Sequence, residues 1–412
     1  MDGLDEMKQQ SESIVTDGPL KGLVVLDLGT MIAGPFCGTL LADFGADVIK
    51  VEHPEHGDPI RAWTPMAEGQ SLWWKVIGRN KRLITLDLSK SRGAELLLEL
   101  ARRADVVIEN FRPGTIEKWG IGFTDLQRVN PGIVLVRISG YGQTGPYSGR
   151  PGYGTCAEAM SGIPAFTGFA DRPPQLSAFP LADCIAGTFG TFSAMMAIYS
   201  RDHAGGVGQE IDISLFEPLF RLIDAQVVGY DKLGLIKKRL GNRLEEDSPR
   251  NAYETSDGKY VTLSASSPRT WERLARAIGR PDLVRNPKFI NNAARCANSD
   301  ELEQIIAQWH RERTLADVLA IFEESDVVAG PIYDIAAIFE DAHYRVREAI
   351  IDVPDQDFGR LRMQNVVPKF SRTPGRIRHT GLAKGENNEE VYLGMFGMTA
   401  DEYSSLRQAG VV

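Results

Sequence analysis

The stretch from Ser177 to Gly190, SAFPLADCIAGTFG, sets one carboxylate, Asp183, among apolar and small residues at the head of a helical run. A charge in such company has two readings. Aspartate is a favoured N-cap, worth about 1 kcal/mol of helix stability. A carboxylate flanked by Phe179, Pro180, Leu181 and Ile185 also suits a covalent nucleophile kept away from water. Upstream, the turn GTMIAG follows GLVVLDL and precedes a helical run, and Glu52 closes the next apolar stretch. Backbone N–H groups at such a helix start suit an anion. The turn departs from the G-x-G-x-x-G dinucleotide fingerprint, however, so Gly29 and Gly34 also read as the means of a tight strand-to-helix turn. Between Lys75 and Arg128 eleven Lys and Arg stand against seven Asp and Glu, a local positive excess in an acidic chain. Within it GRNKR, Lys90, Arg92, NFRPG and Lys118 lie at strand or helix ends, where such groups suit phosphate oxygens.

Other groups carry less. Gly140, Gly142 and Gly154 could donate backbone N–H groups to an oxyanion, or could simply turn the chain. Cys184 has no His base beside it and reads as a small buried thiol. His53 and His56 bracket Pro-Glu in a loop without a carboxylate set, a poor metal site, and no metal is expected. His203 near a helix C-terminus and His310 in an amphipathic helix read as structural.

Two βαβ units must position these groups. GLVVLDL and ADVIKVE read as strands around the helical run FCGTLLADFG. RLITLDL and DVVIENF read as strands around SKSRGAELLLELARRA, a helix started by Ser89 or Ser91, and GIVLVRISGYG adds another strand. Continuous Val, Ile and Leu predict a parallel sheet covered on both faces. Asp183 should open a helix with Ile185, Phe189, Phe192, Met196 and Tyr199 on or near one face, ending near Gly205. A second apolar helical run is expected from Leu219 to Leu235, then one strand at Lys259 to Ser264 and several amphipathic helices. The division expected is a disordered leader over 1–18, the first part of a large domain over 19–225, a small α/β domain over 226–329, and a return to the large domain with a C-terminal tail over 330–412.

At 412 residues, 43% apolar and 25% charged, the composition is that of an ordinary globular protein. A net charge of -9 argues against nucleic acid or an anionic membrane as partner. Cys37, Cys156, Cys184 and Cys296 form no CxxC, so neither a disulfide framework nor a thiolate zinc site is expected. The polar, acidic start lacks the features of a signal peptide, and no segment offers some 18 uninterrupted apolar residues, which together predict a cytoplasmic enzyme.

The segments GLVVLDLGTMIAGPFCGTLLADFGADVIKVEHPEHGD, GRNKRLITLDL, ADVVIENFRPGTIEKWGIGFTDLQRVNPGIVLVRISGYGQTGPY and GVGQEIDISLFEPL resemble the class III CoA-transferase family of the formyl-CoA and carnitine CoA-transferase type (CaiB/BaiF), over a similarity running from about Lys21 to Val412. The resemblance implies an α/β fold: a Rossmann-like large domain with a parallel sheet, built from both chain ends, a smaller α/β middle domain, and a homodimer of interlocked rings. It implies coenzyme A as the acyl-CoA co-substrate, no metal, and Asp183 as nucleophile. Carried over residue by residue, the CoA contacts are Ile32, Ala33, His53, Leu86 to Ser89 with Lys90 beside them, Asn110, Phe111, Arg112, Lys118, and the loop Pro151 to Gly154 with Tyr153. This chain departs from some relatives in having Ser89 where they carry a basic residue, and Pro-Gly-Tyr-Gly where they carry Lys-Val-Tyr-Glu.

The implied reaction moves CoA between two carboxylic acids through aspartyl anhydride and aspartyl-CoA thioester intermediates. All of these hydrolyse, so a water-poor pocket is expected. Burial should raise the pKa of Asp183 while the helix N-terminus should lower it. A rival within the family is an α-methylacyl-CoA racemase, which needs a His in a GHD segment where this chain reads Gly152-Tyr153-Gly154. From other classes come an NAD-linked oxidoreductase, which would need the missing fingerprint, and a non-catalytic CoA-binding protein. The acids exchanged stay open at this stage, small dicarboxylates such as succinate being frequent in the family.

Overall fold

Six strands form one parallel sheet in the computed structural model, which describes residues 18–412; the expected leader, 1–18, lies outside them except for Gly18. They are β1 (Val24–Asp27), β2 (Asp47–Glu52), β3 (Lys81–Thr85), β4 (Val106–Glu109), β5 (Val134–Ser139) and β6 (Glu210–Ser214). Their order is β3-β2-β1-β4-β5-β6, and every neighbouring pair is parallel. The first five follow the apolar runs of the sequence. The sixth, EIDIS, is an edge strand exposed along half its length, and so lacks the continuous apolar run that marks the others. The strand order reverses between β1 and β4, so the loops leaving their carboxyl ends diverge and open a crevice.

The main helices of this sheet are α1 (Ala33–Asp43), α2 (Ser91–Ala101), α3 (Gly154–Met160) and α4 (Leu181–His203). Neither Ser89 nor Ser91 caps α2; its N-cap is Lys90 without a side-chain bond, and the Ser89 hydroxyl goes to Asp87 instead, at 2.6 Å. Helix α4 turns its small residues, not its large apolar ones, inward. Its small residues Ala182, Ala186, Gly187, Gly190, Ala194 and Ala197 are buried, while Phe192, Met196 and Tyr199 are exposed. Close packing is the reason: a Cβ on Gly187 would lie 2.7 Å from the Ala33 carbonyl oxygen, so α4 meets the start of α1 at backbone contact. Among the described residues α4 is also the one helix long and apolar enough to cross a membrane by length and composition; here its small-residue side packs on α1 and β5.

The chain divides into two compact units. One takes the chain up to Gly162, Ser177–Asp224 and Val346–Val412; the other takes Ile163–Leu176 and Ala225–Arg345. The apolar run from Leu219 to Leu235 is not one helix but two short ones, Glu217–Arg221 and Gln226–Leu233, separated at Asp224 by a positive φ of 58°. In the second unit three antiparallel strands, β7 (Arg250–Glu254), β8 (Tyr260–Ser264) and β9 (Ala329–Pro331), stand where the sequence predicts one. Trp271, Phe289, Leu302 and Phe322 build its core. His310 is buried there, its Nδ1 2.7 Å from the Ile306 carbonyl oxygen and its ring stacked on Tyr253 at 4.7 Å. Burial pushes its pKa down to about 4, so it is a neutral packing group.

Buried ions fix the turn that leaves β1. Asp27 and Lys81 pair at 2.9 Å with no solvent exposure, and Lys81 also donates to the Pro35 carbonyl at 2.6 Å. Asp27 accepts the Gly29 N–H at 3.0 Å, and Lys50 donates to the Gly29 carbonyl while pairing with Asp58 at 3.2 Å. Asp58 accepts the N–H groups of Met31 and Ile60, both at 3.0 Å, and Arg61 grips both oxygens of Glu52 at 2.7 Å. Burial depresses Lys81 despite Asp27; burial opposes the charge on Lys50 too, but Asp27, Asp58 and Glu52 together hold its pKa above the usual lysine value. GRNKR, read above as suited to phosphate, belongs to this internal pairing: it sits at the amino end of β3, with Arg79 on Asp43 and Arg82 on Asp47. The crevice lies at the opposite, carboxyl edge.

Lys81→Met, which leaves Asp27 buried without its partner, should cost about 3–5 kcal/mol in urea unfolding. The double variant Asp27→Asn/Lys81→Met should recover part of that loss. Losses that simply add would show that the two side chains do not act as a pair.

Candidate active site

Two cavities lie along the carboxyl edge of the sheet and share a wall. The larger, about 560 Å³, is lined by Thr30, Met31 and Ala33 after β1, Asn110 to Pro113 after β4, Ile138 and Ser139 at the end of β5 with Gly140 after it, then Ser148, Arg150, Gly152 and Tyr153, and Asp183 of α4. The smaller, about 160 Å³, is lined by His53, Gly57 and Asp58 after β2, Leu86 to Ser89 after β3, and Trp119. Thr30 and Phe111 border both. The two central loops are joined: Asn110 accepts the Thr30 N–H at 2.7 Å and donates to the Thr30 carbonyl at 2.8 Å. Phe111 is held by its N–H on the Glu109 carboxylate, at 2.7 Å.

Asp183 sits in the first turn of α4 and is not its N-cap; Pro180 holds that position, without a side-chain bond. The capping reading of Asp183 is thereby overturned, because Asp183 lies three residues past the N-cap position. It is half-buried, and burial pushes its pKa up to about 6, with its own backbone N–H pulling the other way. The α3 start makes room for it: a Cβ on Gly154 would lie 2.1 Å from Asp183 Oδ2. Cys184 beside it is pushed up to about 11 by burial and then by the Asp183 charge, which keeps it a neutral thiol.

Of the residues singled out in the sequence, Ala33, Asn110, Phe111, Arg112, Tyr153 and Asp183 line the larger cavity, and His53, Leu86, Ser89 and again Phe111 line the smaller. Five others, Ile32, Lys90, Lys118, Pro151 and Gly154, line neither. Ile32 is buried beneath the turn against Trp74 and Ile77. Lys90 donates to the carbonyls of Ala409 and Gly410 at 2.7 and 2.9 Å, fastening the C-terminal turn. Lys118 and Pro151 are exposed. Gly154 touches Asp183. Among the glycines considered as oxyanion donors, Gly140 lines the cavity and meets Gly152 at backbone contact, whereas Gly142 turns the chain at φ 84°. His53 and His56 stack at 4.7 Å, and among the described residues no group of three His, Cys, Asp or Glu could hold a metal ion. Sequence reasoning missed Asp58, Thr30 and Arg150. Asp58 had a faint mark in the pair Asp58-Pro59, and Arg150 in being a cation inside a Gly/Pro loop.

Such a site offers a desolvated carboxylate at one end of a crevice long enough for an extended ligand. CoA-transferase family III matches residues 20–387. The chain is 42% identical to a succinyl-CoA:D-citramalate CoA-transferase of Chloroflexus aurantiacus, over 96% of this chain and 98% of that one. It is 40% identical to the beta subunit of a succinyl-CoA:L-malate CoA-transferase of the same organism, over 97% and 100%. A crystal structure of a CAIB/BAIF family protein from Brucella suis superimposes with a TM-score of 0.81 at 32% identity, covering 91% of this chain and 98% of that one.

The raised pKa of Asp183 has a sign that can be measured. The stability this group contributes is full below its unfolded value of 3.8 and is lost as pH rises through about 6, because folding disfavours the charged form. Asp183→Asn should therefore match the parent in stability near pH 4 and exceed it above pH 6, by about 2 kcal/mol or less. Urea midpoints at pH 4.5 and 8 read this directly; a gap independent of pH contradicts the assigned burial.

Proposed function

The chain belongs to CoA-transferase family III, and we propose that it moves CoA from an acyl-CoA donor to a carboxylic acid through covalent intermediates on Asp183. The observation that carries this reading is the placement of Asp183: in a cavity, half-dried, pKa about 6, against a backbone with no side chain in the way. A carboxylate can carry an acyl group and then CoA, which a hydroxyl cannot do with the same reversibility. Asp183 attacks the donor thioester carbon, expelling CoA thiolate and forming an aspartyl-acyl anhydride. The thiolate attacks the aspartyl carbonyl, releasing the donor acid and leaving an aspartyl-CoA thioester. The acceptor carboxylate then attacks that thioester carbon to form a second anhydride and free the thiolate, which takes the acceptor acyl group and restores Asp183. Electrons and atoms balance without a metal or redox partner.

In this reading the CoA moiety runs from the smaller cavity, beside His53 and Ser89, across Thr30 and Phe111 to Asp183. The succinyl-CoA donors in the names of the two Chloroflexus relatives support a donor whose acyl group ends in a second carboxylate. The exposed Phe192, Met196 and Tyr199 of α4 support a homodimer that covers them, in the interlocked form implied by the resemblance. Four free cysteines support a cytoplasmic setting.

Enzyme quenched during turnover with an acyl-CoA and digested should carry a CoA thioester or its hydroxylamine-trapped equivalent on Asp183, and Asp183→Asn should carry none; an adduct elsewhere, or none in the active parent, overturns the mechanism. Gly154→Ala should lower kcat on the order of 10²-fold with little change in melting temperature, because the new methyl group must turn the Asp183 carboxylate away from its attack position. An unchanged kcat would mean that the Gly154 contact does not set the nucleophile.

A further inference from the structure

We infer that Arg150 selects the acyl group: its guanidinium receives the far carboxylate of a dicarboxylic substrate while Asp183 reacts at the near one. This rests on the transfer reading above.

The two ends of the crevice differ in what lines them. None of the residues from Ile138 to Tyr153 that border the larger cavity borders the smaller one, whereas Phe111, next to Arg112, borders both. Arg112 thus follows a residue at the border with the smaller cavity, whereas Arg150 lies on a wall that has no residue in common with the smaller cavity. Among the described residues, Arg112 and Arg150 are the cations lining this cavity, and Asp183 is its one lining carboxylate.

Arg150 is prepared for a planar anion. Its guanidinium lies over the Tyr147 ring, 3.8 Å from the centroid, and the Arg150 backbone N–H donates to the Tyr147 carbonyl at 2.8 Å, which closes the turn between the two residues. Tyr147 in turn meets Tyr141 edge-on at 5.9 Å. Stacking fixes the guanidinium plane and leaves its edge N–H groups free to donate side by side to the two oxygens of a carboxylate. Among the described residues no carboxylate pairs with it, in contrast to Arg61, Arg79, Arg82 and Arg137, each of which is held by an acid. A second carboxylate brought into this cavity without a counter-charge would repel ionised Asp183 and raise its pKa further. Arg150 removes that penalty, so a dicarboxylic acyl group is favoured over a neutral one of the same length.

The test compares succinyl-CoA with propionyl-CoA, which lacks the far carboxylate, in the parent, Arg150→Met and Arg150→Lys. In a ping-pong cycle kcat/KM for the donor reports the donor half alone. Arg150→Met should lower the succinyl-CoA to propionyl-CoA ratio of kcat/KM on the order of 10²-fold, with Arg150→Lys in between. Equal losses for both donors, or none for succinyl-CoA, would overturn the assignment. Melting curves with free succinate provide a readout that needs no turnover: succinate should stabilise the parent and not Arg150→Met, and equal stabilisation, or none in either, counts against Arg150. Should the parent transfer CoA from no donor, the transfer reading fails, and the succinate comparison still decides the role of Arg150. Since the side chain is exposed, a ligand-free melting temperature equal to that of the parent shows that the variants fold.

Discussion

A turn that leaves β1 with Met31 at φ 65° needs hydrogen-bond partners that neither the sheet nor α1 can supply, and it takes them from buried ions. Three acids, Asp27, Asp58 and Glu52, stand against three bases, Lys50, Lys81 and Arg61. Removing such ions from water is unfavourable by several kcal/mol each, and mutual attraction alone rarely recovers it. Here the ions also satisfy the turn's backbone: Asp27 and Lys50 take the N–H and carbonyl of Gly29, and Asp58 takes the N–H of the strained Met31. Apolar replacements of equal volume would leave those backbone groups unpaired in the core. The network thus holds Thr30 where Asn110 can join it, and the crevice at the reversal of strand order exists because that turn is rigid.

On the proposed reading Asp183, as nucleophile, lives under opposing demands. Its intermediates hydrolyse, so its surroundings must be dry; it attacks only when ionised, and dryness disfavours ionisation. A pKa of about 6 reconciles the two, since roughly nine-tenths of the group is charged at pH 7 while much of its hydration is gone. The adjacent thiol shows the other outcome of the same burial. Cys184, pushed up to about 11, stays neutral and takes no part, so one environment keeps a carboxylate usable and silences a thiol.

What could be read from the sequence follows from what each element buries. Strands covered on both faces must be apolar at every position, so β1 to β5 stand out; β6 at the edge buries only Ile213 and Ser214 fully and does not. The inward face of α4 was not legible, because large apolar side chains usually mark the core side of a helix. Here the inner face is set by Gly187 at the Ala33 carbonyl, which only a chain without a side chain can approach. The positive segment was legible as charge but not as partners: Asp27, Asp43 and Asp47, far away in sequence, engage Lys81, Arg79 and Arg82. Lone side chains on loops leave no pattern at all. Arg150 and Asp58 become visible only when the loops after β2 and β5 are brought to one edge, whereas Asp183 drew notice because its neighbours are apolar.

On the proposed reading, precision at the reacting carbon has to come from somewhere other than the loops, which are the softest part of an α/β unit. In this chain it comes from backbone contact. Ala33 lines the cavity from the first residue of α1, and its carbonyl oxygen is the atom against which Gly187 of α4 packs. One turn earlier on α4 is Asp183. The cavity-lining turn and the helix that carries Asp183 are therefore joined within a few ångströms and must shift together. On the proposed reading, contacts made by the CoA moiety in the smaller cavity are passed through Thr30 and Phe111 to a thioester that already faces Asp183. Binding energy from the non-reacting part of a substrate can then offset the desolvation and orientation of the reacting part, which raises kcat and does more than lower KM.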